Sequence, residues 1–236
     1  MQKKLVIPDC KECGFRSRSI FCNLEQGDLN ELNSQKGFIS LKKGHNIFTQ
    51  GMRPQSLFCI YTGKVKIHQL GNDGKDQIVR FAKEGDIVGY RALISGENYS
   101  SSATVLEDSV ICLISRKTFF SLLEKNHKLS LGLLNLLSHD LEKAEHRITD
   151  LAQKPVKERL SESLLVLRET YGCEIDGATL NVALSREELA NLVGTARETV
   201  IRLLSEFNSQ HIIELDGKKI RILNLRELQN MANVFD

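Results

Sequence analysis

Two guanidinium groups and a carboxylate, Arg197, Arg202 and Glu198, crowd the start of the amphipathic run RETVIRLLSEF. An arginine fork can chelate the O6/N7 edge of guanine, and a glutamate can accept from cytosine N4. This set at a helix start therefore suits the major groove of double-stranded DNA. The plainer reading of the same residues is a group of surface ion pairs on a solvated helix. The second reactive group is sulfur: Cys10, Cys13, Cys22, Cys59, Cys112 and Cys173. In a reducing compartment such thiols serve as metal ligands or small buried hydrophobes more readily than as disulfides. Cys10, Cys13 and Cys22 precede any regular structure, and their spacing admits zinc, thiol redox chemistry or no ligand at all. Cys59 and Cys173 read as ordinary residues, and Cys112, in the apolar run SVICLIS, also reads as a buried strand residue. The six histidines form no spaced ligand set.

The elements around the arginines decide between the two readings of that helix. Ser185 followed by Glu188 is a capping box opening a helix over Arg186–Leu192. Gly194 can turn the chain, and Thr195 can cap the next helix, which carries Arg197, Glu198, Thr199 and Arg202 on its first turns. The tail HIIELDGKKIRIL reads as a hairpin turning at Asp216-Gly217, with Lys218 and Lys219 placed for backbone phosphates. Turn, cap and hairpin in this order describe a winged helix-turn-helix. Its expected DNA contacts are Ser185, Thr195, Arg197, Glu198, Thr199, Arg202, Lys218 and Lys219. Charge does not help: the net charge is +2, and residues 155–236 hold 10 Lys and Arg against 13 Asp and Glu. Positive charge must therefore gather on one face.

Upstream, residues 37–117 have a β texture. Short alternating runs (GFISLKK, NIFTQ, SLFCIYTG, KVKIHQL, DQIVRFA, SATVLED, SVICLIS) are separated by glycine turns such as KKGH, GMRP, GNDGK and KEGD. That pattern predicts an antiparallel jelly roll. The period then becomes helical over 118–154, where Leu134, Leu137, Leu141, Ala144, Ile148 and Leu151 recur at alternating steps of three and four. Polar residues between them favour a dimer seam over a helix buried within one chain. Lys154-Pro155 ends this helix. The fold class is thus α+β, in four parts. Residues 1–36 are a cysteine-containing segment with short helices and 37–117 a β-roll sensor. Residues 118–154 are a long dimerisation helix and 155–236 a winged helix-turn-helix domain.

No apolar run is long enough to span a bilayer, and the N-terminal one is too short for a signal-peptide core, so the expected location is the cytoplasm, with no membrane partner. A metalloenzyme of cupin type would need clustered ligands on the strands, whereas only His45 and His68 occur there, far apart, so no enzyme is expected.

Over nearly its whole length the chain resembles the CRP/FNR family of bacterial transcription regulators. The likeness rests on GTARETVIRLL and on the order of the β-roll glycines Gly44, Gly51, Gly63, Gly74, Gly85 and Gly89. The resemblance implies a cyclic-nucleotide-binding-type β-roll, a dimerisation helix and a DNA-reading helix in which Arg197, Glu198 and Arg202 match the guanine-reading set. It implies operator DNA, a second copy of the chain and RNA polymerase as partners. Cyclic AMP is not expected: Tyr90 stands where the ribose-holding Glu belongs, and Tyr99 or Ser100 where the phosphate-holding Arg belongs, with Arg91 out of register. Cys10, Cys13, Cys22 and Cys112 resemble the ligands of the four-iron cluster in the oxygen-sensing branch. The gap from Cys13 to Cys22 is longer here, and Ala144 replaces an acidic seam residue. A regulator with no metal and no cyclic nucleotide, responding to a small ligand or to no effector, is the alternative.

Overall fold

The computed structural model describes residues 9–71 and 74–233. The expected GNDGK turn lies partly outside the described residues, and the apolar run before residue 9 wholly outside them. The described residues form two compact units, one within 9–69 and 80–141, the other within 70–71, 74–79 and 142–233.

In the first part of the chain two 3-10 turns (Arg16–Arg18 and Ile20–Asn23) precede helix α1 (Gln26–Gln35). Strands β1 (Gly37–Leu41), β2 (Asn46–Phe48), β3 (Ser56–Thr62), β4 (Val65–Leu70), β5 (Asp76–Ala82) and β6 (Ile87–Val88) come next. Helix α2 (Tyr90–Ser95), strands β7 (Ser102–Val105) and β8 (Ser109–Ser115) and helix α3 (Arg116–Lys125) follow. The strands form two four-stranded sheets, ordered β1-β8-β3-β6 and β2-β7-β4-β5. All seven alternating runs are strands; β6 and α2 are additions.

Side-chain alternation along β3 and β8 sorts residues between two cores. Phe58, Ile60 and Ile111 point into the core between the sheets, with Val65, Ile67 and Val105. Leu57 and Ile114 point the other way, into a core closed by Phe21, Leu29, Leu32, Phe119 and Leu122. Cys59 packs against this second core. Its partner directly across the ladder is Cys112.

Gly63 makes the β3–β4 turn at φ +111, and an added Cβ there would lie 2.0 Å from Ser109 Oγ. Gly63→Ala is expected to lower the unfolding free energy by about 1–3 kcal/mol, seen as a lower urea midpoint at unchanged slope.

The helical segment expected over 118–154 is two helices, because Asn126 interrupts it. Its backbone N–H closes α3 on Leu122 O, and its Oδ1 accepts from the Leu129 N–H at 2.9 Å. Helix α4 (His127–Gln153) then runs to the Pro155 break, beyond which α5 (Val156–Tyr171) begins. The remaining elements are α6 (Arg186–Val193), α7 (Arg197–Ser209), the hairpin β9 (Ile213–Asp216) and β10 (Lys219–Ile222), and α8 (Leu225–Ala232). α8 was not foreseen; Asn224 caps it, and it buries Leu228 and Ala232.

Candidate functional site

The α6–α7 pair is built from local signals. Ser185 accepts from the Glu188 N–H while the Glu188 carboxylate takes the Ser185 N–H, a complete capping box. The Ser185 hydroxyl is thereby committed to the helix end. Gly194 closes α6 in the left-handed region (φ 74, ψ 53), where a non-glycine residue is strained. Sequence reasoning missed what holds this turn. Arg159, almost wholly buried on α5, donates Nε to Val193 O at 3.1 Å and Nη2 to Gly194 O at 3.3 Å. Its Nη1 donates to Lys154 O at 2.7 Å. These bonds satisfy carbonyls that a helix end otherwise leaves orphaned. One expectation is corrected: the N-cap of α7 is Ala196, with no side-chain bond, and not Thr195. The chain leaves the Gly194 turn one residue later than the Thr195 hydroxyl would need.

Val200, Leu203, Leu204 and Phe207 bury one face of α7. The opposite face exposes Arg197, Glu198, Ile201 and Arg202, while Thr199 is half-buried. Arg202 keeps a loose contact, Nη1 to Glu206 Oε2 at 3.9 Å. Glu206 is bound more closely by Lys157, at 2.6 Å, and this lysine holds its carboxyl below the usual range.

In the hairpin, Asp216 pairs with Lys219, so the turn is Gly217-Lys218, with φ +55 at the glycine. Arg186 Nη2 donates to Gly217 O at 3.1 Å and ties the start of α6 to the hairpin tip. Lys218 is exposed there. Lys219 is engaged by Glu174, 2.8 Å away, and the carboxylate raises its pKa.

Helix α4 carries an apolar stripe on its surface. Leu134, Leu141 and Ile148 are 58%, 61% and 68% exposed, with Ala144 and Leu151 also exposed. Leu137 is half-buried against the core beneath.

Between the sheets, Tyr99 stacks on Phe48 with ring centroids 4.1 Å apart. Tyr90 donates its hydroxyl hydrogen to Asp140. Arg80 Nη1 reaches the same carboxylate at 2.9 Å and the Tyr90 oxygen at 3.3 Å. Burial, more than this partner set, pushes the Tyr90 phenol up to about 12. The space left among Phe48, Arg80, Gly89, Tyr90, Tyr99 and Ser100 is about 20 Å³, room for roughly one water.

A second cavity, of about 50 Å³, opens beneath the N-terminal segment. Cys10, Cys13, Cys59 and Cys112 all line it, with Ser19, Lys36 and apolar walls from Phe15, Phe21, Leu29, Leu32 and Ile114. Cys22, in the second 3-10 turn, is not among the lining residues. Lys36 Nζ donates to Cys10 Sγ at 3.0 Å, and the Cys10 N–H donates to Asn33 Oδ1 at 3.1 Å. Burial pushes the Cys112 thiol up to about 12. Burial, and then the nearby Cys112, Cys13 and Cys10 sulfurs, push the Cys59 thiol up as well. All six cysteines are unpaired thiols. Among the described residues, no three His, Cys, Asp or Glu side chains stand within joint ligating reach of one ion. His45 contacts Lys42 O and His68 contacts Thr104 Oγ1.

Family models divide the chain in the same sense. The cyclic nucleotide-binding domain matches residues 38–126, and the Crp-like helix-turn-helix domain matches residues 158–231. The chain is 30% identical over 227 residues to the fumarate and nitrate reduction regulatory protein of Vibrio cholerae, covering 95% of this chain and 90% of that protein. It is 29% identical over 215 residues to the CRP-like cAMP-activated global transcriptional regulator of Mycobacterium tuberculosis, covering 90% and 96% respectively. A solved structure of a CRP/FNR-family transcriptional regulator from Thermus thermophilus superposes with a TM-score of 0.72 at 26% identity, over 84% of this chain and 99% of that one.

Proposed function

The chain belongs to the CRP/FNR family and is a helix-turn-helix DNA-binding transcription regulator; on that premise we propose that it binds operator DNA as a homodimer through the exposed face of α7. One observation carries this reading: Arg197, Glu198 and Arg202 share the solvent face of a helix whose other face is buried. Guanidinium and carboxylate groups so presented read base edges, while Thr195, Thr199 and the Ser185 helix start lie close to the same groove. Lys218 is the main phosphate contact of the wing, because Lys219 shares its charge with Glu174. Lys218→Ala is expected to weaken binding about equally on every DNA sequence and to reduce the salt slope by about one unit. Anisotropy titrations at several salt concentrations measure this, and a loss confined to the cognate site contradicts the phosphate role. The direct test of the whole reading is titration of the protein with the DNA upstream of its own gene against random competitor.

The exposed seam Leu134, Leu141, Ala144, Ile148 and Leu151, with Leu137 at its inner edge, pairs two copies along α4. RNA polymerase is the further partner, and the cytoplasm the location. Among the described residues no helix is long and apolar enough to cross a membrane.

The effector is a redox or oxygen signal, acting through an iron–sulfur cluster on the N-terminal cysteines and Cys112. Cys10, Cys13 and Cys112 all line one apolar cavity, which supports a cluster there, for which four thiolates are the usual ligand set. Bound there, the cluster would supply the oxygen-sensitive redox chemistry. The protein supplies the sulfur ligands, the Lys36 ammonium that offsets thiolate charge beside Cys10, and aromatic and leucine walls that exclude water. Cyclic nucleotide is disfavoured, because the Tyr99–Phe48 stack lies in the core between the sheets and the cavity beside it is only about 20 Å³.

A further inference from the structure

We propose that Cys59, in the place expected for Cys22, is the fourth thiolate of a metal centre held with Cys10, Cys13 and Cys112; this rests on the reading that the N-terminal cysteines bind metal. The argument starts from strand register. Cys59 on β3 and Cys112 on β8 are direct antiparallel partners. Residues opposite each other on one face have Cβ atoms about 4.5–5.5 Å apart. Both side chains leave the sheet on the side of the N-terminal segment and line one cavity. The sheet thus holds two sulfurs as a rigid pair. Cys10 and Cys13, separated by two residues in the CKEC loop, supply a second pair to the lining of the same cavity. Two such pairs make a four-thiolate set of the kind that holds an iron–sulfur cluster or a tetrahedral zinc ion.

Cys22 lacks this placement. It sits in the Ile20–Asn23 turn, whose Phe21 is buried in the core, and it does not line the cavity. Beside Phe21, which lines the cavity as an apolar wall, the nearby polar residue that lines it is Ser19, whose oxygen already accepts from the Phe21 N–H at 3.3 Å. Among the described residues no three ligands are within joint reach of an ion, so binding requires the Cys10–Cys13 loop to close on the Cys59–Cys112 pair. Each thiol gives its proton to solvent as its sulfur–metal bond forms. Assembly from equal amounts of ferrous and ferric iron with sulfide supplies the two ferrous and two ferric ions of a four-iron cluster, so neither it nor zinc binding needs a further oxidant or reductant.

The test is anaerobic reconstitution of the 236-residue chain and of Cys22→Ala, Cys59→Ala and Cys59→Ser with equal amounts of ferrous and ferric iron and sulfide, and separately with zinc. Bound metal, acid-labile sulfide and visible absorbance are measured, with circular dichroism as the folding control. The expected result is full loading of Cys22→Ala and at least threefold less metal on both Cys59 variants at unchanged helical content. Full loading of a folded Cys59 variant, with loss in Cys22→Ala, overturns the proposal while leaving the metal reading intact. Zinc bound at one ion per chain, lost on Cys59 substitution, supports the ligand set and removes the iron–sulfur reading. A wild-type chain that takes up neither metal overturns both.

Discussion

Leu141→Asp is expected to split the dimer and, with it, most of the operator affinity. Leu141 is 61% exposed in the middle of the α4 stripe, so the substitution costs the monomer fold little. In the dimer it places a carboxylate from each copy in an apolar seam with no cationic partner, at several kcal/mol per uncompensated charge. The dimer dissociation constant should rise by about a thousandfold or more. Operator binding falls with it, because two linked recognition helices gain from effective concentration and a single one does not. Sedimentation at micromolar protein should show a monomer, circular dichroism an intact fold, and anisotropy at least a hundredfold weaker operator binding. An unchanged dimer would mean that the subunits pair elsewhere, and the exposed stripe would then need another cover.

Arg197→Ala should produce the second large effect, of a different kind. A bidentate arginine–guanine contact is worth about 1–3 kcal/mol of discrimination against the wrong base. In a symmetric dimer the loss occurs in both half-sites, so cognate affinity should fall by about 2–6 kcal/mol in total while random-sequence affinity falls far less. The informative measurement is a panel of operators, each altered at one symmetric pair of positions. Wild-type protein should discriminate at every contacted position, and the variant should become indifferent at one of them. A uniform loss across the panel would make Arg197 a phosphate contact and undo the base-reading geometry. Arg202 is a less clean probe, because Glu206 beside it also holds Lys157.

The α6–α7 pair and its hairpin were legible because their signals are local. A capping box joins residues three apart, a left-handed glycine acts at its own position, and Val200, Leu203, Leu204 and Phe207 recur within one helix. The β-roll strands were legible for the same reason, since alternation relates each residue to its second neighbour. Short elements escaped: β6 has two residues, and α2 has six between the left-handed Gly89 and Gly96. Neither is long enough to display a period. The break at Asn126 escaped because it depends on what one side chain bonds to, which hydrophobic spacing does not record.

What the chain alone determined, then, is the order of its elements, the faces they bury and the residue types on the α7 surface, all of which follow from contacts within a few positions. Tertiary structure decided which distant groups meet. Arg159 reaches the α6–α7 turn from another helix, and Arg80 meets Asp140 across sixty residues of chain. The strongest case is sulfur. Spacing along the backbone grouped Cys22 with Cys10 and Cys13, whereas the pairing of β3 with β8 brings Cys59 opposite Cys112 and turns both toward the same cavity. Strand register is set by packing between segments far apart in the chain, and no local period encodes it.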